Sequence, residues 1–139
     1  MGTMKWSTAL GATGLALAAI TTTVATPASA HALRAGRMVL TNVDNGRTVA
    51  ASVGGDVEVR LTHYRERGLT YTWTAVSASD GAVLGHRSDV TNPAGDASAV
   101  YRAAAAGTAT VSAQRHCVPD PGNLCPLIVE TWKATIQVK

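Results

Sequence analysis

Phenylalanine is absent from the 139 residues, and the aromatic complement is three Trp and three Tyr. Any core must therefore be mostly aliphatic, arranged around very few large rings. Charge is sparse as well: Asp, Glu, Lys and Arg make up 15% of the chain, 12 basic residues against 9 acidic. A formal charge of +3 is too small to argue for a nucleic-acid partner. The 46% hydrophobic content excludes an acidic or polybasic disordered tail, so the chain is expected to fold. Two cysteines are too few for a four-thiolate zinc site. No nucleophile elbow, phosphate-cradling loop, His-Glu-x-x-His pair or dinucleotide fingerprint occurs. The acids fall singly on turns and outer strand faces, where solvated charge is the expectation. No catalysis and no cofactor are expected.

The one long apolar run lies at the N-terminus. Lys5 supplies a short positive start, residues 9–20 an apolar stretch, and Thr26-Pro27-Ala28-Ser29-Ala30 a small-residue cleavage pattern. This order predicts a secretory signal peptide over residues 1–30. The Thr21-Thr22-Thr23 run and Pro27 stop the stretch short of the ~20 apolar residues a membrane span needs. A secreted, extracellular, membrane-free monomer is expected, with a flexible segment over 31–36 and one domain over 37–139. Ala30-His31-Ala32 also satisfies the small-x-small rule, so cleavage after Ala32 competes with cleavage after Ala30. Only the latter would leave His31 as a terminal Cu(II) chelate of amine and ring nitrogen, with His63, His86 or His116 as a further ligand. Copper binding is thus one alternative function.

Past the leader, hydrophobicity alternates with a period of two, the mark of half-buried strands. Val57, Val59 and Leu61 share one face against Glu58, Arg60 and Thr62. Leu69, Tyr71, Trp73 and Ala75 oppose three threonines, and Trp132, Ala134, Ile136 and Val138 oppose Lys133, Thr135 and Gln137. Weaker alternation covers residues 37–41, 48–53, 97–103 and 108–114. Turn residues fall between them: Asp44-Asn45-Gly46, Gly54-Gly55-Asp56, Ser79-Asp80-Gly81, Asn92-Pro93-Ala94-Gly95 and Pro119-Asp120-Pro121-Gly122. About seven strands at this spacing predict an all-β, immunoglobulin-like β-sandwich. The Ala-rich segment 101–106 is too short for a helix of its own before Gly107 and reads as a corner at a strand end. Trp73, Trp132 and Tyr71 are in phase with aliphatic neighbours and are expected in the core. Trp73 takes the central position.

The segments Asp44-Asn45-Gly46-Arg47-Thr48-Val49 and Val53 to Leu61, Trp73, and Val100-Tyr101-Arg102-Ala103 leading to residues 106–111 resemble the chagasin-type inhibitors of papain-like cysteine proteases. They also resemble small secreted actinobacterial proteins of the same immunoglobulin-like build. The likeness covers about residues 40–139. In the inhibitor family three loops at one end of the sandwich enter the protease cleft, carrying Asn-Pro-Thr-Thr-Gly, a Gly-rich sequence and Arg-Pro-Trp. The corresponding positions here hold His63-Tyr64-Arg65-Glu66-Arg67-Gly68, Asn92-Pro93-Ala94-Gly95-Asp96 and Arg115-His116-Cys117. Most of the inhibitory motif is missing. Protease inhibition is therefore carried as an alternative function.

Cys117 and Cys125 are eight positions apart in a Pro-rich segment, and an exported compartment favours a disulfide between them. The function expected first is a non-enzymatic binding module that uses residues 63–68, 92–96 and 116–124 at one end of the sandwich. Its contact residues would be Tyr64, Arg65, Arg67, Asn92, Arg115 and His116, an Arg and Tyr mixture that interfaces favour. The partner would be an extracellular protein or a cell-wall polymer.

Overall fold

The computed structural model describes residues 2–3 and 36–139. His31 and nearly all of the expected leader lie outside the described residues. In chain order the elements are β1 (Arg37–Thr41), a 3-10 turn η1 (Asn42–Asp44), β2 (Thr48–Ala51), β3 (Asp56–Leu61), β4 (Tyr64–Glu66) and β5 (Leu69–Trp73). Then follow β6 (Ser77–Ala78), β7 (Leu84–Thr91), β8 (Ala97–Ala103), β9 (Gly107–Pro119) and β10 (Glu130–Val138). One sheet has the order β1-β3-β8-β7, the other β2-β10-β9-β5-β4 with the short β6 alongside β9. The chain passes from the first sheet to the second through η1, so β1 runs parallel to β3 and β2 parallel to β10. The two sheets face each other as an immunoglobulin-like β-sandwich.

Period-two burial builds the core. β8 buries Ala97, Ala99, Tyr101 and Ala103, and β10 buries Trp132, Ala134, Ile136 and Val138. They pack with Val57, Val59 and Leu61 of β3 and with Ala109, Val111 and Ala113 of β9. Alanine at so many inward positions leaves space that two large rings fill. Tyr101 donates its hydroxyl to the Val76 carbonyl at 3.1 Å, and Trp132 donates its indole N–H to the Thr41 carbonyl at 3.1 Å, so both rings are buried with their polar atoms satisfied. Trp132, not Trp73, is the ring among the largest fully buried side chains. Trp73 is half-buried against the edge of this cluster.

Ten strand segments stand where about seven were expected. The chief addition, β7, buries only Leu84 and half-buries Gly85, leaving its other residues exposed. It is an edge strand, broken by a register shift between His86 and Ser88, so no alternating pattern was imposed on it. Residues 101–106 do form the expected corner, β8 ending at Ala103 and β9 opening at Gly107. Not every acid is solvated, contrary to the sequence expectation. Asp44 is buried, accepting from the Thr41 N–H at 2.7 Å and from Arg47 Nη1 at 2.7 Å. Glu58 is buried between Arg37 and Arg60, at 2.8 and 2.6 Å. Each carboxylate is covered by the guanidinium that neutralises it.

Candidate binding site at the loop end

The two sheets end at different heights. The first stops at Leu61 of β3 and Ala97 of β8, which are paired. β9 runs on for six more residues beyond Ala113, paired with β5 from Trp73↔Arg115 to Leu69↔Pro119. The Trp73 indole donates to the Thr62 carbonyl at 3.0 Å, which puts that ring level with the rim of the shorter sheet. The inward face of this overhang therefore has no opposing strand. Its rows are Trp73, Arg115 and Glu130, then Tyr64, Tyr71 and Cys117.

Arg115 binds the overhang together. Its guanidinium lies 4.3 Å above the Tyr71 ring, donates to the Tyr64 hydroxyl at 2.5 Å and pairs with Glu130 at 2.7 Å. Tyr64 stacks on Tyr71 with centroids 4.8 Å apart. Tyr71 is thus buried, as expected, but under Tyr64 and Arg115 and outside the main core cluster. The β4–β5 hairpin closes through Arg67-Gly68 with φ of 52° and 73°, a two-residue turn with both positions left-handed. Gly68 fits because a Cβ there would come within 2.7 Å of the Asn123 side chain. The Asp120 N–H donates to the Gly68 carbonyl at 3.0 Å, and Arg65 pairs with the Asp120 carboxylate.

Residues 120–129 fold back across the overhang, tied by the Cys117–Cys125 disulfide with Cα atoms 5.9 Å apart. Within this segment Leu124, Leu127, Ile128 and Val129 are 90%, 101%, 79% and 57% exposed. The expectation from sequence reached Leu124, at the end of residues 116–124, but not Leu127, Ile128 or Val129. The signal was the unalternating run Pro126-Leu127-Ile128-Val129, with no polar face to fix it as a strand.

The third loop is built on Asp96. Its carboxylate accepts from the His63 N–H at 2.7 Å, from the Asn92 amide at 2.9 Å, and lies 2.6 Å from His63 Nδ1. The Asn92 amide first, then the His63 N–H, hold its pKa down at about 2. The Gly95 carbonyl accepts from the Trp73 N–H at 2.9 Å, seating the loop against β5.

The structure thus gathers the six expected contact residues at one end, but in different states. Tyr64, Arg65 and Arg115 are committed to partners within the chain, and the Asn92 side chain to Asp96. Arg67 and His116 are exposed. The alternation of β9 sends Arg115 inward and His116, opposite Thr72, to the outer face. His63 and His86 are paired to Asp96 and Asp89, and among the described residues no group of three or more His, Cys, Asp or Glu is placed to hold a metal ion.

A cleft of about 310 Å³ opens between η1 and the Trp73–Arg115–Glu130 row, with Asn42, Val43 and Asn45 on one wall. Two hydrogen bonds of 2.8 Å between the Asn42 amide and the Thr62 backbone hold that wall in place. The buried Asp44, whose pKa is lowered mainly by the Thr41 N–H, anchors the same turn from beneath. Both residues were absent from the sequence-based site, because η1 reaches the cleft only through the crossover between sheets.

The sequence matches no protein-family model and no curated protein. Solved structures that share parts of its shape include the following three. A complex of the inhibitor PbICP-C with falcipain-2 aligns at 11% identity over 75% of this chain and 99% of that one, with a TM-score of 0.43. An inclusion body protein (PixA) from Burkholderia cenocepacia aligns at 18% over 65% of this chain and 59% of its own, with a TM-score of 0.46. The cysteine protease inhibitor EhICP2 from Entamoeba histolytica aligns at 14% identity over 75% of this chain and 96% of its own, with a TM-score of 0.50, and so the immunoglobulin-like fold of chagasin-type inhibitors is the scaffold on which this loop end is built.

Proposed function

We propose that the protein is an exported, non-enzymatic binding module that docks a protein partner through its loop end, with residues 124–129 as the inserted element. The observation that carries this reading is the exposure of Leu124, Leu127, Ile128 and Val129 together on one tethered segment. Aliphatic side chains this dense and this exposed cost free energy in water, which burial against a partner recovers. The disulfide fixes one end of the segment before binding, so less conformational entropy is lost on docking. Arg67 and His116 supply an exposed polar rim. An oxidised cysteine pair accords with export, where disulfides persist.

The test is the double variant Leu127→Ser with Ile128→Ser, used as bait beside the unaltered protein against culture supernatant and isolated cell wall. Both side chains are solvent-exposed, so the melting temperature should hold while protein capture is lost. Equal capture by both baits would overturn the proposal, as would retention by the wall polymer alone.

A second reading, inhibition of papain-like cysteine proteases, is favoured by the fold shared with the E. histolytica inhibitor. It predicts loss of papain activity at submicromolar protein. Unimpaired papain at micromolar protein would dismiss it.

A further inference from the structure

We propose that the cleft between η1 and the Trp73–Arg115–Glu130 row is a second binding site, for the ring of a neutral saccharide. Its volume, about 310 Å³, falls at the small end of small-molecule sites (~300–1,000 Å³), enough for a mono- or disaccharide unit. Its chemistry narrows the ligand. Trp73 and Tyr64 offer ring surface and Val43 an exposed aliphatic wall. Among the described residues two polar groups on the lining have no hydrogen-bond partner: the Asn45 amide nitrogen and the second carboxylate oxygen of Glu130. The Asn45 carbonyl oxygen is spoken for by the Lys133 N–H at 2.9 Å, which orients the amide donor.

The ionic pair in the floor decides against charged ligands. Arg115 and Glu130 neutralise each other at 2.7 Å, so an anion would compete with Glu130 and a cation would face Arg115. A wholly apolar ligand would leave donors and acceptors unmatched. A pyranose ring combines an apolar C–H face for the aromatic wall with hydroxyls that both donate and accept. The site is also pre-formed, since the Asn42–Thr62 hydrogen bonds, the buried Asp44 and the Arg115–Tyr64 contact hold its walls before any ligand arrives. This inference does not depend on the apolar segment 124–129, whose loss would leave the cleft in place.

Calorimetric titration of the processed protein with cellohexaose, with chitohexaose, and with hexagalacturonate as the charged control tests it. At least one neutral oligosaccharide should bind saturably with Kd below about 10 mM, and the galacturonate should not. Trp73 and, at 2% exposure, Trp132 both line the cleft, so the ligand should shift the indole emission, and Trp73→Phe should lose most of that shift. Trp73→Ala should weaken binding at least tenfold and Trp73→Phe only a few-fold. Asn45→Asp and Glu130→Gln change exposed side chains, and each should weaken binding at least threefold with little change in melting temperature. They keep the test valid if Trp73→Ala fails to fold. The Leu127→Ser with Ile128→Ser variant should bind the sugar as the unaltered protein does, which separates this site from the protein-docking segment. Absence of saturable binding by both neutral oligosaccharides, preference for the galacturonate, or unchanged affinity in both the Asn45 and Glu130 variants would overturn the proposal.

Discussion

Acid should loosen the loop end through Asp96. Its carboxylate ties residue 63 to residues 92–96 by three close contacts of 2.6–2.9 Å, and its pKa is held at about 2. A carboxylate with a depressed pKa favours the folded chain when ionised. That contribution is complete above the unfolded value of ~3.9 and is lost as pH falls toward the folded value. Lowering the value from ~3.9 to about 2 corresponds to about 2–3 kcal/mol for a shielded group. The Asp96 side chain is 35% exposed, so solvent screening reduces the figure to about 1 kcal/mol. Urea unfolding of the wild type and Asp96→Asn between pH 7 and pH 2 reads it directly. The variant should be about 1 kcal/mol less stable at pH 7, and the two curves should converge between pH 4 and pH 2. Asp44, also depressed, titrates in both proteins and cancels in the difference. Parallel curves that keep their gap down to pH 2 would refute the assignment of this linkage to Asp96.

Three other perturbations probe the frame of the site. Gly95 has φ of +101°, and a Cβ there would lie 2.3 Å from Thr72 Cγ2, so Gly95→Ala should cost about 2–3 kcal/mol by thermal unfolding, partly recovered by adding Thr72→Gly. A neutral Gly95→Ala would show that the loop is not seated on β5. Tyr101→Phe strands the Val76 carbonyl and should cost about 1–2 kcal/mol. Burial, with the Asp89 charge second, raises the Tyr101 pKa, so the wild type should lose its advantage over Tyr101→Phe as pH climbs above about 10. Reducing Cys117–Cys125 restores loop entropy to the unfolded chain, worth about 2.6 kcal/mol in the chain-entropy account, and should lower the melting temperature. An unchanged melting curve with reduction verified by thiol titration would contradict that.

Local chemistry made much of the sandwich legible. Val57, Val59 and Leu61, or Trp132 through Val138, must alternate because a strand with one buried face has a period of two whatever lies opposite. Asn92-Pro93-Ala94-Gly95 announces a turn by its own backbone preferences, and a lone cysteine pair in a chain with an export signature points to its own bridge. β7 escaped because an edge strand buries little and needs no pattern. The cleft was illegible for a different reason. Trp73 is in phase with Leu69 and Tyr71, and nothing in that alternation says that the facing sheet ends at Leu61, one step below the indole. Arg115 and His116 are neighbours in sequence, yet only the pairing of β9 with β5 and β10 places one over Tyr71 beside Glu130 and the other on the opposite face. Alternation along one strand determines which side chains turn inward; the relative register and length of two separately built sheets decide which inward side chains are covered by a partner layer and which line an open site.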